Sequence, residues 1–143
     1  MITKFKKKLF SINDKSHFLN YIGRLAGFII KGKELHWSAP KKDIHQYLDD
    51  FIAELIKIQD LVAEGYMGIL GKMGPNDVPY TPCNAHDAMT FIDEVIRETE
   101  DFYRGIPDGT EFKGLTSETE TFINNCRKYK YLFSLCDNDY SKE

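Results

Sequence analysis

The longest helical pattern in the chain runs from Pro40 to Leu70, and it sets the class of fold. Ile44, Leu48, Phe51, Leu55, Ile58, Val62 and Ile69 recur along it, and at about 100° per residue they fall in one broad sector. A helix of that length with a single apolar stripe must bury the stripe against other elements. The Ser38 hydroxyl can serve as its N-cap, Pro40 is tolerated in a first helical turn, and Gly71 followed by Gly74 and Pro75 ends it.

The remaining chain supplies the partners. Phe18, Ile22, Leu25 and Ile29 place a first helix over residues 16–35, loosened by Gly23, Gly27 and Gly32. A third helix is predicted over residues 85–104, with Met89, Ile92, Val95 or Ile96, and Phe102 on its apolar side. Thr116 or Ser117 can cap a fourth helix that carries Phe122, Cys126, Tyr129, Leu132 and Phe133. Four amphipathic segments with short connections predict an all-α, antiparallel four-helix bundle. The 143 residues suffice for one core and divide into a basic tail (1–15), the bundle (16–138) and a C-terminal tail (139–143).

Charge and cysteine usage narrow the functional classes. A net charge of −3 gives no whole-surface attraction to nucleic acid or anionic membrane. The local exception is Lys4, Lys6, Lys7 and Lys8, interleaved with Phe5, Leu9 and Phe10, which could add a salt-dependent contact to DNA phosphates. Ser11, Ile12, Asn13 and Asp14 follow where a signal peptide would turn apolar, so a cytoplasmic location is expected. No run of about 18 apolar residues suggests a membrane span. Cys83, Cys126 and Cys136 form no CxxC pair, which suits a reducing compartment and gives no support to a cysteine-built zinc site.

Helix two carries a second stripe. Roughly 150° from the core sector lie His45, Asp49, Ile52, Ala53, Ile56, Asp60 and Glu64, polar at the ends and apolar in the middle. Either a few apolar residues are simply exposed, or this face is buried against a helix outside the bundle. His45 and Asp60 lie about 22 Å apart along one helix and cannot share an ion within one chain. An antiparallel copy, related by a two-fold axis near Ala53 or Glu54, would bring His45 of each subunit to Asp60 and Glu64 of the other. Imidazole with carboxylate suits Fe(II), Mn(II) or Zn(II). His45 sits early in its helix, where the positive dipole end disfavours the imidazolium. His36, just before the turn, can approach the same site, and Asp49, one turn after His45, is a further candidate ligand.

The run from Lys33-Glu34-Leu35-His36-Trp37 through His45-Gln46-Tyr47-Leu48-Asp49 to Asp60-Leu61-Val62-Ala63-Glu64 and Leu70-Gly71 resembles the Dps-like branch of the ferritin superfamily. That branch shows a His-Trp pair, a histidine shortly before Leu-Asp, then Asp-x-x-Ala-Glu and Leu-Gly-Gly. The resemblance implies a ferritin-like bundle and a homo-oligomer, a two-fold dimer within a hollow dodecamer. It also implies an intersubunit ferroxidase site in which His36 and His45 of one subunit meet Asp60 and Glu64 of its mate. His45, Asp60 and Glu64 would then carry the oxidation of Fe(II), with hydrogen peroxide as the favoured oxidant, and the ferric product would be stored. The interval between His36 and His45 is about three residues shorter than the family pattern, and residues 71–84 are too few for the small extra helix such proteins place there. A non-catalytic assembly protein that kept the fold is the main alternative, and DNA binding through the N-terminal lysines the third reading.

Overall fold

The computed structural model describes residues 15–141, whose regular elements are all helices, with no strand among them. Helices α1 (Lys15–Trp37), α2 (Lys42–Leu70), α3 (Ala88–Arg104) and α4 (Lys113–Ser134) follow in order, with a 3-10 turn at Thr110–Phe112 ahead of α4. None of these helices is long and apolar enough to cross a membrane.

One core joins all four helices. Phe18, Phe28, Phe51, Phe91, Phe112 and Phe133 are fully buried in it. Phe51 packs edge-on to Phe91 and Phe133, with ring centroids 6.0 and 6.1 Å away, an arrangement that aligns ring edges with faces. Three buried hydroxyls are paired: Tyr21 Oη lies 2.8 Å from Thr99 Oγ1, and Thr119 Oγ1 donates to the Leu115 carbonyl at 2.7 Å. Satisfying them in place avoids the penalty for an unpaired buried polar group.

Cross-helix contacts fix the directions. Gln59 donates to the Ile22 carbonyl while His36 meets His45, so α1 and α2 are antiparallel. His17 bonds the Phe102 carbonyl while Arg24 pairs with Glu98, so α1 and α3 are antiparallel too. Asp93 pairs with Lys130, and Glu100 with Arg127, which makes α3 and α4 antiparallel. Helices α2 and α3 therefore point the same way, and residues 71–87 must return along the length of the molecule to join them.

That return strand of irregular chain explains two glycines. The Thr81 N–H donates to the Gly23 carbonyl at 3.3 Å, and any Cβ on Gly23 or Gly27 would overlap the carbonyl oxygen of Pro79 or Thr81. Gly23 and Gly27, read from sequence as loosening α1, are the places where connecting backbone lies directly against the helix. Cys83, on the same segment, donates its thiol to Glu94 Oε2 at 2.8 Å, and burial pushes its pKa up to about 12.

Several element ends differ from the sequence expectation. Pro40 lies outside α2, whose N-cap is Lys41 with no side-chain cap bond; Ser38 Oγ instead donates back to the Glu34 carbonyl and closes α1. Helix α3 starts at Ala88 because Asp87 and Thr90 form a reciprocal capping box. Helix α4 starts at Lys113, so Thr116 is inside it and donates to the Phe112 carbonyl. Tyr140, placed by sequence in a tail, donates its hydroxyl to the Leu35 carbonyl at 3.2 Å.

Replacing Gly27 by Ala is expected to lower stability by about 1–3 kcal/mol in urea, since the overlap with linker backbone outweighs the gain in helix propensity. Gly68, with nothing within 4 Å of an added Cβ, should show the opposite sign, about 0.5–1 kcal/mol of stabilisation. Alkaline titration provides a second check. The Cys83 thiol is held protonated in the folded chain and released near pH 9 in the unfolded one, so its contribution is complete below pH 9 and lost as pH rises toward 12. The urea midpoint should fall over that window, less steeply in Cys83→Ala.

Candidate metal centre

The α1–α2 turn spans only residues 38–41, so His36 and His45 stand at the same level of two antiparallel helices. Their rings stack with centroids 3.8 Å apart and planes 20° apart. His36 Nδ1 lies 2.7 Å from the His45 carbonyl oxygen, and His45 Nδ1 lies 2.8 Å from the His36 carbonyl oxygen. A carbonyl oxygen only accepts, so both Nδ1 atoms must carry the proton. In the neutral rings this leaves both Nε2 atoms with free lone pairs, the form in which imidazole binds metal. The His36 carbonyl belongs to the last turn of α1, and His45 supplies one of the partners such terminal carbonyls need.

The outer surface of the α1–α2 layer can be assembled from contacts. On α2 the edge toward α1 is marked by His45 against His36, Ile52 against Gly32 and Gln59 against Ile22. Further round the helix lie Asp49, Ala53, Ile56, Asp60, Glu64 and Met67, all exposed. On α1 the matching outward side carries Ala26, Ile30, Lys33 and Trp37. Trp37 is 72% exposed, Ile30 52% and Ile56 45%, so one side of the layer presents large apolar groups to solvent. Ile52, read from sequence as part of this outer stripe, is 2% exposed instead, because Gly32 has no side chain and leaves room for it.

Of the five expected ligands, the fold gathers three at one end. His36 Nε2 is 3.9 Å from Asp49 Oδ1, and His45 stacks on His36. Asp60 and Glu64 remain on the same outer side but about 22 and 28 Å from His45 along α2. Neither has a hydrogen bond or ion pair with another described residue. Within one chain, no group of three or more His, Cys, Asp or Glu side chains among the described residues could hold a metal ion. Lys4, Lys6, Lys7 and Lys8, and with them the DNA reading, lie outside the described residues. The reciprocal histidine bonding was not read from the sequence; its signal was the nine-residue interval, short enough to place both rings at one level across a tight turn.

No family model, curated protein or solved structure matches the chain.

The histidine pair should behave as one energetic unit. His36→Ala and His45→Ala are each expected to cost about 1 kcal/mol in urea unfolding, from a lost hydrogen bond and a lost stack. The double variant should cost less than the sum, with a coupling of about 0.5–1 kcal/mol in the cycle.

Proposed function

We propose that the chain is a Dps-like member of the ferritin superfamily, an iron-binding protein whose ferroxidase site is completed between two subunits. His36, His45 and Asp49 of one protomer and Asp60 and Glu64 of its two-fold mate would form the site. The connectivity supports the fold: two antiparallel pairs joined by one long crossover is the topology of ferritin-like bundles. The observation that carries the function is the outer side of the α1–α2 layer, which has imidazole donors at one end, exposed carboxylates with no partner among the described residues at the other, and apolar side chains between.

The donor set fits iron as substrate. Neutral imidazole with carboxylate binds Fe(II), with Zn(II) or Mn(II) as competitors, and hard carboxylate oxygens favour the ferric product. Hydrogen peroxide takes one electron from each of two Fe(II) ions and, with two protons, leaves as water. A homo-oligomer follows from the site's geometry, and a dodecamer able to store the product follows from the family resemblance.

One observation favours a second reading. The reciprocal bonds of His36 and His45 already close α1 and lock the hairpin, so both histidines have a structural task that needs no metal. A non-catalytic assembly protein with the same fold would keep them for that reason alone.

Fe(II) oxidation with limiting peroxide or oxygen separates the two. Asp60→Ala and Glu64→Ala, both on solvent-facing positions, should each slow oxidation at least about tenfold, or 1.4 kcal/mol, with helical content unchanged by circular dichroism. Rates equal to the parent chain would reject the ferroxidase and leave the assembly reading.

A further inference from the structure

Three successive carbonyls close α1, and different parts of the chain bond them. Glu34 accepts from the Ser38 N–H at 3.0 Å and from the Ser38 hydroxyl at 2.7 Å. His36 accepts from the Ala39 N–H at 3.4 Å and from His45 Nδ1 at 2.8 Å. Leu35, between them, accepts from the Tyr140 hydroxyl at 3.2 Å, a donor 105 residues later in the chain. The segment after α4 is built to bring that hydroxyl there. Asn138 Nδ2 donates to the Phe133 and Cys136 carbonyls at 2.7 and 3.1 Å, folding residues 135–138 back over the end of α4. The Tyr140 N–H then donates to the Asn138 carbonyl at 3.1 Å, and the ring packs against the core. Burial pushes the Tyr140 phenol up to about 12, so it keeps its proton and remains the donor. Cys136, in the same segment, lies within hydrogen-bond reach of the Asp43 carboxylate in the first turn of α2. The segment thus touches both helices of the hairpin that carries the imidazoles.

We propose that Tyr140 is a positioning residue for the histidine pair, holding His36 and His45 in the reciprocal arrangement that leaves both Nε2 atoms free; its bearing on metal rests on the reading above. The Leu35 carbonyl and the His36 N–H belong to one planar peptide unit. A bond that fixes the oxygen therefore fixes the plane from which His36 departs, and with it the direction of the ring and of the next carbonyl. Both contacts of His45 depend on that plane. Its ring stacks on the His36 ring at 3.8 Å between centroids, and its Nδ1 bonds the His36 carbonyl. Groups that bond a ligating imidazole directly commonly matter about 10–100-fold for metal affinity. A hydroxyl acting one peptide unit away carries less, about fivefold, the factor expected from one hydrogen bond.

The test compares the full chain with Tyr140→Phe, which removes the hydroxyl and keeps the ring. Cys126→Ala, at a buried position of α4, is the control that lowers stability without touching this segment. Each chain is measured at about pH 8, where imidazole is ordinarily neutral, by nitrogen NMR of the imidazole rings and by Fe(II) oxidation. In the parent chain both rings give the signals of the neutral form protonated on Nδ1. In Tyr140→Phe the signals of His36 and His45 are expected to move toward the mixed tautomers of an unrestrained imidazole. The KM for Fe(II) should rise about fivefold with kcat within about twofold, while Cys126→Ala changes neither the signals nor KM. A Tyr140→Phe chain that loses stability but keeps the parent imidazole signals overturns the proposal, and so does an equal shift in Cys126→Ala. Shifted signals with an unchanged KM overturn the part Tyr140 has in the metal site. Shifted signals in a chain whose parent oxidises no Fe(II) support the positioning and count against the ferroxidase alone.

Discussion

The pairing of α1 with α2 is the constraint on which the other features of the molecule depend. A turn of four residues permits only one relative height for the two helices, and the His36–His45 bonds close that height from both sides. Once it is set, Ile52 falls against Gly32 and Gln59 against Ile22, and the core side of each helix is committed. The outward side is then whatever the core does not use. Its exposed Trp37, Ile30 and Ile56 are a consequence of that registration, and so is the placement of imidazole and carboxylate at opposite ends of a single surface.

The crossover between α2 and α3 works within the same frame. Because α2 and α3 are parallel, residues 71–87 must travel back along the molecule, and they do so pressed onto α1 at Gly23 and Gly27. This path crosses α1 at Gly23, seven residues before Ile30 and so on the same side of the helix, and leaves Ile30 and Trp37 further along exposed. A side chain at either glycine would push the segment outward, toward the surface that the proposed partner needs. The glycines therefore serve packing directly, by letting the crossover backbone lie against α1.

How much of this was legible in the sequence follows from the range of each interaction. The four helices and their core stripes were readable, because a period near 3.6 residues is a local signal and Ile44, Leu48, Phe51, Leu55, Ile58 and Val62 all face inward. Helix starts were less so: Ser38 looked like a cap for α2, yet its hydroxyl completes α1, since two helix ends compete for one turn. Ile52 was misplaced because its burial depends on a glycine twenty residues earlier. The roles of Gly23 and Gly27 were hidden for the same reason, as their partners lie more than fifty residues away. The candidate ligands were found by residue type and spacing, whereas the reciprocal bonding of two of them required coordinates.

The histidine geometry also bears on why a single chain would be an incomplete metal site. An imidazole lone pair lies in the ring plane, and two rings stacked 3.8 Å apart and only 20° from parallel do not aim their Nε2 atoms at one nearby point. Splaying them would break the Nδ1 bonds that close the hairpin. Each ring can therefore contribute one nitrogen at most without disturbing the turn, and Asp49, half-exposed and 3.9 Å from His36, adds a single carboxylate at that end. An ion held there would lack ligands for four-coordination or higher. The carboxylates that could supply them stand at the far end of the same helix, beyond the reach of any side-chain rotation, so in the proposed function they would have to come from a second subunit.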